Sequence, residues 1–339
     1  MNEPRFIVWC SIAFGLAVAS PVNAAVHRMV LDGPVDPIHA EYLIRGIDEA
    51  EAAGSNLVLL ELDTPGGLAS SMEDIIGRML KSRVPVCAYV HPAGGKAASA
   101  GFFLLMAADV AAMAPGTRTG AAHPVMSIGG IIPIGDEPTR SDPEAPKAPT
   151  RPADGSTPAP ADNPVPKVPS PMDSTMMGKI KEDAQAFLRA IASHRGRNAF
   201  LAETAVTDSK SWSDQEALEN HLIDLVAGSE YELLERLHGR EVRLIDGTPK
   251  VLSTRNEPIV SVEMTFRERA LSVITDPNVA FLLLLIGALL VYIEVTHAGL
   301  VLPGVFGGIC LVLAVAGMSF LPINATGVIL LLAAVGLFI

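Results

Sequence analysis

The sequence predicts an α/β domain built on a parallel sheet, followed by a C-terminal block of apolar helices. Three observations carry this. Between His27 and Ala114 short apolar runs alternate with longer amphipathic stretches, the pattern of βαβ units. Two small-residue turns, Asp63-Thr64-Pro65-Gly66-Gly67 and the stretch Gly94–Gly101, fall where strands should end, and ligands of such sheets sit at the carboxyl ends of strands. From Val279 onward the chain is almost wholly apolar.

Composition narrows the function. Of 339 residues 49% are hydrophobic, more than a purely soluble domain needs. The net charge is −12 and no basic stripe occurs, so nucleic acid is excluded as a partner. The three cysteines, Cys10, Cys87 and Cys310, are too scattered for a disulfide framework or a metal site.

The elements follow in order. Residues 1–24, with Arg5 ahead of an apolar core and Val22-Asn23-Ala24 at its end, read as a secretory signal peptide, or else as an uncleaved signal anchor. The domain after it is therefore expected outside the cytoplasmic membrane. Strands are expected near 28–31, 57–62, 84–90 and 110–114, and helices near 37–53, 70–81 and directly after Ser99. Residues 129–173 hold twelve prolines between Pro133 and Pro171 and read as an extended, disordered insertion in the domain, with a linker between two domains as the competing reading. Residues 176–195 form an amphipathic helix, with Ile180, Ala184, Phe187, Leu188 and Ile191 on one face and Gly196 as its stop. Short helices near 203–206 and 214–220 precede a strand-like run at 221–226, and the domain closes near Val251. Residues 252–276 read as a juxtamembrane amphipathic segment, with 263–274 expected along the membrane surface. Three apolar runs follow, about 279–295, 299–321 and 324–339. A span needs about 20 residues, so the third looks cut short and the protein is expected to continue past Ile339.

The chemistry centres on Ser99. Small residues surround it and the apolar run Phe102–Ala108 follows, which places it at the first turn of a buried helix among unpaired amides. Gly66 and Gly67 would let backbone N–H groups approach a substrate oxygen and form an oxyanion hole. Close strand–helix packing alone would also call for small residues. A serine needs a base. Lys179, beside Met176, Met177 and Ile180, would serve as a neutral amine if desolvated, with Lys181 reading as more solvated. His123, in Gly120-Ala121-Ala122-His123-Pro124, would serve in a triad with Asp173 or Asp208. His91 is a weaker competitor, and local sequence leaves lysine and histidine both open.

These residues carry a resemblance. Leu62–Gly67, Ala97–Gly101, Gly120–Pro124, Gly196-Arg197-Asn198 with Ala205-Val206, and Glu216-Ala217-Leu218 before Leu222-Ile223-Asp224 resemble the NfeD family of membrane-bound, ClpP-class serine proteases. The likeness runs from about Ala25 to Ile339. It implies a ClpP/crotonase-like fold, a Ser–Lys dyad of Ser99 and Lys179, an oxyanion hole from Gly66 and Gly67 helped by Ala100, and no cofactor. It also implies a homodimer or higher oligomer that cleaves hydrophobic segments, with a stomatin-like membrane protein as substrate or partner. The sequence departs from the family in its long insertion and in lacking the small β-barrel domain that longer members carry. ClpP itself uses a histidine at nearly the spacing of His123. The expected activity is thus a membrane-anchored serine endopeptidase with its domain on the extracytoplasmic side. The rivals are an idle ClpP-fold scaffold that binds a stomatin-like partner, and a crotonase-like acyl-CoA enzyme, which export away from coenzyme A argues against.

Overall fold

The computed structural model describes residues 25–124, 171–297 and 301–318. The expected signal peptide, nearly all of the proline-rich insertion and the third apolar run lie outside the described residues.

Chain order through the first half is β1 (Val26–Asp32), α1 (Pro37–Ala52), β2 (Leu57–Asp63), α2 (Ala69–Leu80), β3 (Val86–Val90), β4 (Lys96–Ala98), α3 (Ala100–Ala107), β5 (Val110–Met113) and β6 (Arg118–Gly120). After the insertion come α4 (Pro171–His194), α5 (Ala199–Thr207), β7 (Ser211–Ser213), α6 (Asp214–Glu219), β8 (Leu225–Val226), α7 (Glu230–Leu237), β9 (Glu241–Arg243), β10 (Pro249–Val251) and β11 (Ile259–Ser261). Three helices complete the described chain: α8 (Phe266–Thr275), α9 (Pro277–Thr296) and α10 (Leu302–Met318).

The main sheet has six parallel strands in the order β11-β1-β2-β3-β5-β8. Alternation along β2 explains why it is buried throughout. Val58, Leu60 and Leu62 face the core shared with α1 to α5, while Leu57 and Leu59 face a second core closed by Leu233, Leu234 and Leu237 of α7. Glu61 also lies on that second side and is held by Arg28 Nη2 at 3.0 Å. Helix α1 starts where Pro37 supplies its first turn and Asp36 caps it, Oδ1 accepting from the amides of Ile38 and His39.

Two features exceed the expected outline. A three-stranded sheet, β4-β6-β7, gathers the segments around Ser99 and is bridged to β2 through Thr64 and Ala97. The main sheet also does not end near Val251, since β11 pairs in parallel with the edge of β1. The juxtamembrane segment thus contributes a strand, and α8 is tied back to α1 by Arg45, whose Nε and Nη2 donate to the Glu268 carboxylate at 2.9 and 2.8 Å. Helix α4 likewise begins at Pro171, earlier than its amphipathic face indicates, so Lys179 lies two turns inside it.

Residues Asn278–Thr296 of α9 form one helix long and apolar enough to cross a membrane, while α10 is shorter at 17 residues. The two pack closely. A side chain on Gly287 of α9 would meet Leu311, and one on Gly307 of α10 would meet Leu290 and Val291.

Candidate active site

The site is assembled where β2 ends. Thr64 is fully buried, and its Oγ1 accepts the Gly66 N–H at 3.1 Å, fixing the Gly66-Gly67 turn from inside. The Gly66 carbonyl accepts from Val35 N, and Leu68 N donates to the Val35 carbonyl, stitching the turn to the β1–α1 loop. Gly67 N–H carries no hydrogen bond among the described residues. This refines the expected oxyanion pair: the Gly66 amide is already committed to Thr64, whereas the Gly67 amide is open.

On the other flank the turn holds β4. Thr64 N donates to Lys96 O at 2.7 Å, Ala98 N to Thr64 O at 3.1 Å, and Lys96 N to Asp63 Oδ1 at 3.0 Å. Asp63 and Thr64 therefore set the strand that delivers Ser99. Sequence reading saw them only as parts of a motif, because their role depends on a strand thirty residues away.

Ser99 is half-buried and caps α3 with φ 53° and ψ −118°, the corner of a type II′ turn that normally takes glycine. Its N–H donates to Gly120 O and its carbonyl accepts from Phe102 N, both at 2.9 Å. Held this way, the hydroxyl stands at the head of a helix whose eight residues are all buried. The Ala100 and Gly101 amides belong to the first turn, where no helical carbonyl reaches them. Gly66 lies so close that a Cβ there would fall 2.5 Å from Ser99 Cβ and 3.0 Å from its Oγ. The structure thus brings Ser99, Gly66, Gly67 and Ala100 together. At the other end of α3 two guanidinium groups cover the terminal carbonyls: Arg195 Nε donates to Ala107 O at 2.8 Å, and Arg197 Nη1 to Met106 O and Ala108 O at 2.6 and 3.0 Å. Arg197 also donates to Asp224 Oδ2 at 3.0 Å. The sequence marked Gly196 as a helix stop and Gly196-Arg197-Asn198 as part of a family motif, without the contacts of Arg197 to α3.

The bases are placed less closely. No side-chain hydrogen bond to Ser99 Oγ occurs among the described residues, and Lys179 is exposed without a bonded partner among them. Lys181, expected to be the more solvated lysine, is half-buried and donates to Thr207 O at 3.1 Å. The two differ because they lie on opposite flanks of α4, and only one flank meets the end of α5. His123 is half-buried with Nδ1 2.7 Å from Val206 O; a carbonyl can only accept, so Nδ1 carries the proton and Nε2 is left as an acceptor. Its orienting partner is thus a carbonyl, and Asp208 is exposed and accepts from Thr207 Oγ1 instead. His91 stacks on Tyr89 and sits 3.9 Å from Glu61, on the far side of the sheet. Among the described residues no cluster of three or more His, Cys, Asp or Glu side chains is arranged to hold a metal.

Comparison with known proteins places this geometry. Residues 25–133 match the N-terminal domain of NfeD1b, and residues 278–339 match the NfeD integral membrane domain. The chain is 30% identical over 328 residues to the membrane-bound protease PH1510 of Pyrococcus horikoshii, covering 95% of this chain and 65% of that one, less than two thirds of the relative's length. Among solved structures it resembles a serine-to-alanine mutant of the 1510-N membrane-bound stomatin-specific protease, at 27% identity and TM-score 0.55 over 72% of this chain and 99% of that one. It also resembles a lysine-to-alanine mutant of that protease in complex with a substrate peptide, at 26% identity and TM-score 0.58 over 74% and 97%. The α/β domain accordingly has the ClpP-like protease fold, with a helical block after it. Carrying both NfeD domains, the chain is a membrane protein and belongs to the NfeD family.

Proposed function

We propose that the chain is a membrane-anchored serine endopeptidase. The observation that carries this reading is Ser99 itself, held in a glycine-like conformation at the head of a buried helix, against Gly66 and beside the open Gly67 amide. A structural serine has no need of that backbone; a nucleophile that must present its Oγ does. Ser99 Oγ attacks the peptide carbonyl and passes its proton to a base. The carbonyl oxygen, now negative, is held by the Gly67 and Ala100 N–H groups. The base then protonates the leaving amine, the C–N bond breaks, and water releases the acyl group by the reverse proton route.

The base in this proposal is Lys179, delivered by the segment that follows the insertion, with His123 Nε2 as the alternative. The lysine is supported by the relative whose structures single out one serine and one lysine. The proposed substrate is a hydrophobic segment of a membrane protein; a stomatin-like protein as substrate or partner is supported by the stomatin-specific relative. A signal peptide, a domain on the extracytoplasmic side of a multi-pass inner-membrane protein, and a homodimer or larger assembly complete the proposal. The idle scaffold remains the second reading because Ser99 Oγ has no base within bonding reach among the described residues.

The test is labelling of the full chain in detergent with a fluorophosphonate, alongside cleavage of an apolar peptide. Labelling lost in Ser99→Ala, with cleavage lost in Lys179→Ala and kept in His123→Ala, supports the dyad. Cleavage lost in His123→Ala and kept in Lys179→Ala moves the base to the histidine. Absence of both labelling and cleavage in wild type leaves the scaffold.

A further inference from the structure

The β1–α1 loop, the start of α2 and the corner between α8 and α9 enclose a cleft of about 580 Å3, within the size range of small-ligand sites. Val35, Ile38 and Leu68 give it an apolar floor. One end is formed by Gly67, which the candidate active site shares, and the other by Thr275 and Asp276. Asp276 caps α9, the helix apolar and long enough to cross a membrane. The cleft therefore joins the membrane boundary to the turn that would hold the oxyanion.

Its charge is one-sided. Asp32, Asp36 and Asp276 line it together with His39, whose Nδ1 lies 2.9 Å from Asp36 Oδ1, and neither Lys nor Arg does. Asp36 and Asp276 each spend Oδ1 on capping a helix. Asp32 is exposed, and its carboxylate makes no ion pair or side-chain hydrogen bond among the described residues. Burial works to raise the Asp36 carboxyl, but the bonds from His39 and from the α1 amides prevail and hold it below the usual range.

We propose that this cleft binds the stretch of a membrane-protein substrate that has just left the bilayer, and that it selects a Lys or Arg within that stretch. The inference rests on the protease reading and adds a recognition element to it. A chain that emerges beside α9 and reaches the Gly67 turn has the cleft on its path. Lys and Arg are the residues whose long stems lie on apolar surface while the charge sits at the membrane boundary, and the cleft offers an apolar floor with unpaired carboxylate oxygens above it. Cleavage would then fall within a short, fixed reach of the membrane, at most about 3.5 Å of extended chain per residue.

The experiment measures binding, so it does not depend on turnover. The full chain carrying Ser99→Ala is placed in phosphatidylcholine nanodiscs with fluorescent peptides made of one apolar span and a ten-residue tail. The first four tail residues carry either two lysines or two glutamates, and a third peptide has the lysine tail without the span. The lysine tail on a span should bind at least tenfold more tightly than the glutamate tail, and Asp32→Lys should bring that ratio close to one. Equal affinities in the parent protein, or a ratio unmoved by Asp32→Lys, would overturn the selectivity. Equal binding of the lysine tail without its span would overturn the membrane-tethered substrate. Fluorophosphonate labelling of the wild-type chain separates this from the protease reading: Ser99 labelled without lysine preference removes the cleft alone, and lysine preference without labelling removes the protease alone.

Discussion

The backbone of Ser99 allows a prediction worked from geometry. At φ 53° and ψ −118° a side-chain-bearing residue is held at a cost of about 1–3 kcal/mol. Ser99→Gly removes that cost and gives back about 0.5–1 kcal/mol through the freer unfolded chain. The net gain is about 1 kcal/mol, or about 2–4 °C in Tm for a domain of this size. Ser99→Ala keeps its Cβ and should leave Tm within about 1 °C. Gly66→Ala is the reciprocal test, because its Cβ would lie 2.5 Å from Ser99 Cβ at a φ of +108°. It should lower stability by about 2–4 kcal/mol. Once Ser99→Gly has removed the first two neighbours, the closest one left is the Ala98 carbonyl at 3.1 Å. The double variant should therefore recover about 1–2 kcal/mol beyond additivity. Thermal unfolding of the full chain in detergent measures wild type and the four variants, and labelling at Ser99 should be lost in every variant that lacks the hydroxyl. If Ser99→Gly proves no more stable than Ser99→Ala, or the pair is additive, the strain argument is wrong.

Two further predictions concern the supports of the site. Thr64→Val leaves the Gly66 N–H buried without its 3.1 Å acceptor; it should cost about 1–3 kcal/mol and slow cleavage through kcat more than KM, which steady-state kinetics on an apolar peptide would show. Glu268 is held below the usual carboxylate range by its hydrogen bond from Arg45, against burial. Its contribution is complete above the unfolded value of about 4.3 and is lost as pH falls through the lower folded value. Glu268→Gln should thus lower stability by about 1.5–3 kcal/mol at pH 7, and the Tm gap to wild type should close on acidification below about pH 4; a gap constant with pH would refute the assignment.

What the sequence disclosed was what local pattern encodes. The apolar runs of β2 and β3, the amphipathic stripe of α4 and the position of Ser99 before an all-apolar helix were legible because each needs only its own neighbours in the chain. The sheet β4-β6-β7 was not, since its strands have three residues each and exist only because Thr64 and Lys210 lie beside them. β11 escaped for the same reason: Ile259–Ser261 becomes a strand by pairing with the open edge of β1. At the site, the glycines announced close approach, yet which amide stays open depends on Thr64 Oγ1, and the contrast between Lys179 and Lys181 depends on where α5 ends. Side-chain partnerships across thirty to a hundred residues leave no local trace.

The arginine caps on α3 bear on when the protein becomes complete. The helix that presents Ser99 is finished by residue 107, but among the described residues the side chains that close its far end are Arg195 and Arg197, which are made after the whole proline-rich stretch. During vectorial synthesis nearly a hundred residues separate the serine from the groups that clamp its helix. A nascent chain interrupted anywhere in that interval carries the nucleophile without its clamp, so translation order itself delays the assembly of the site until the stretch has been made.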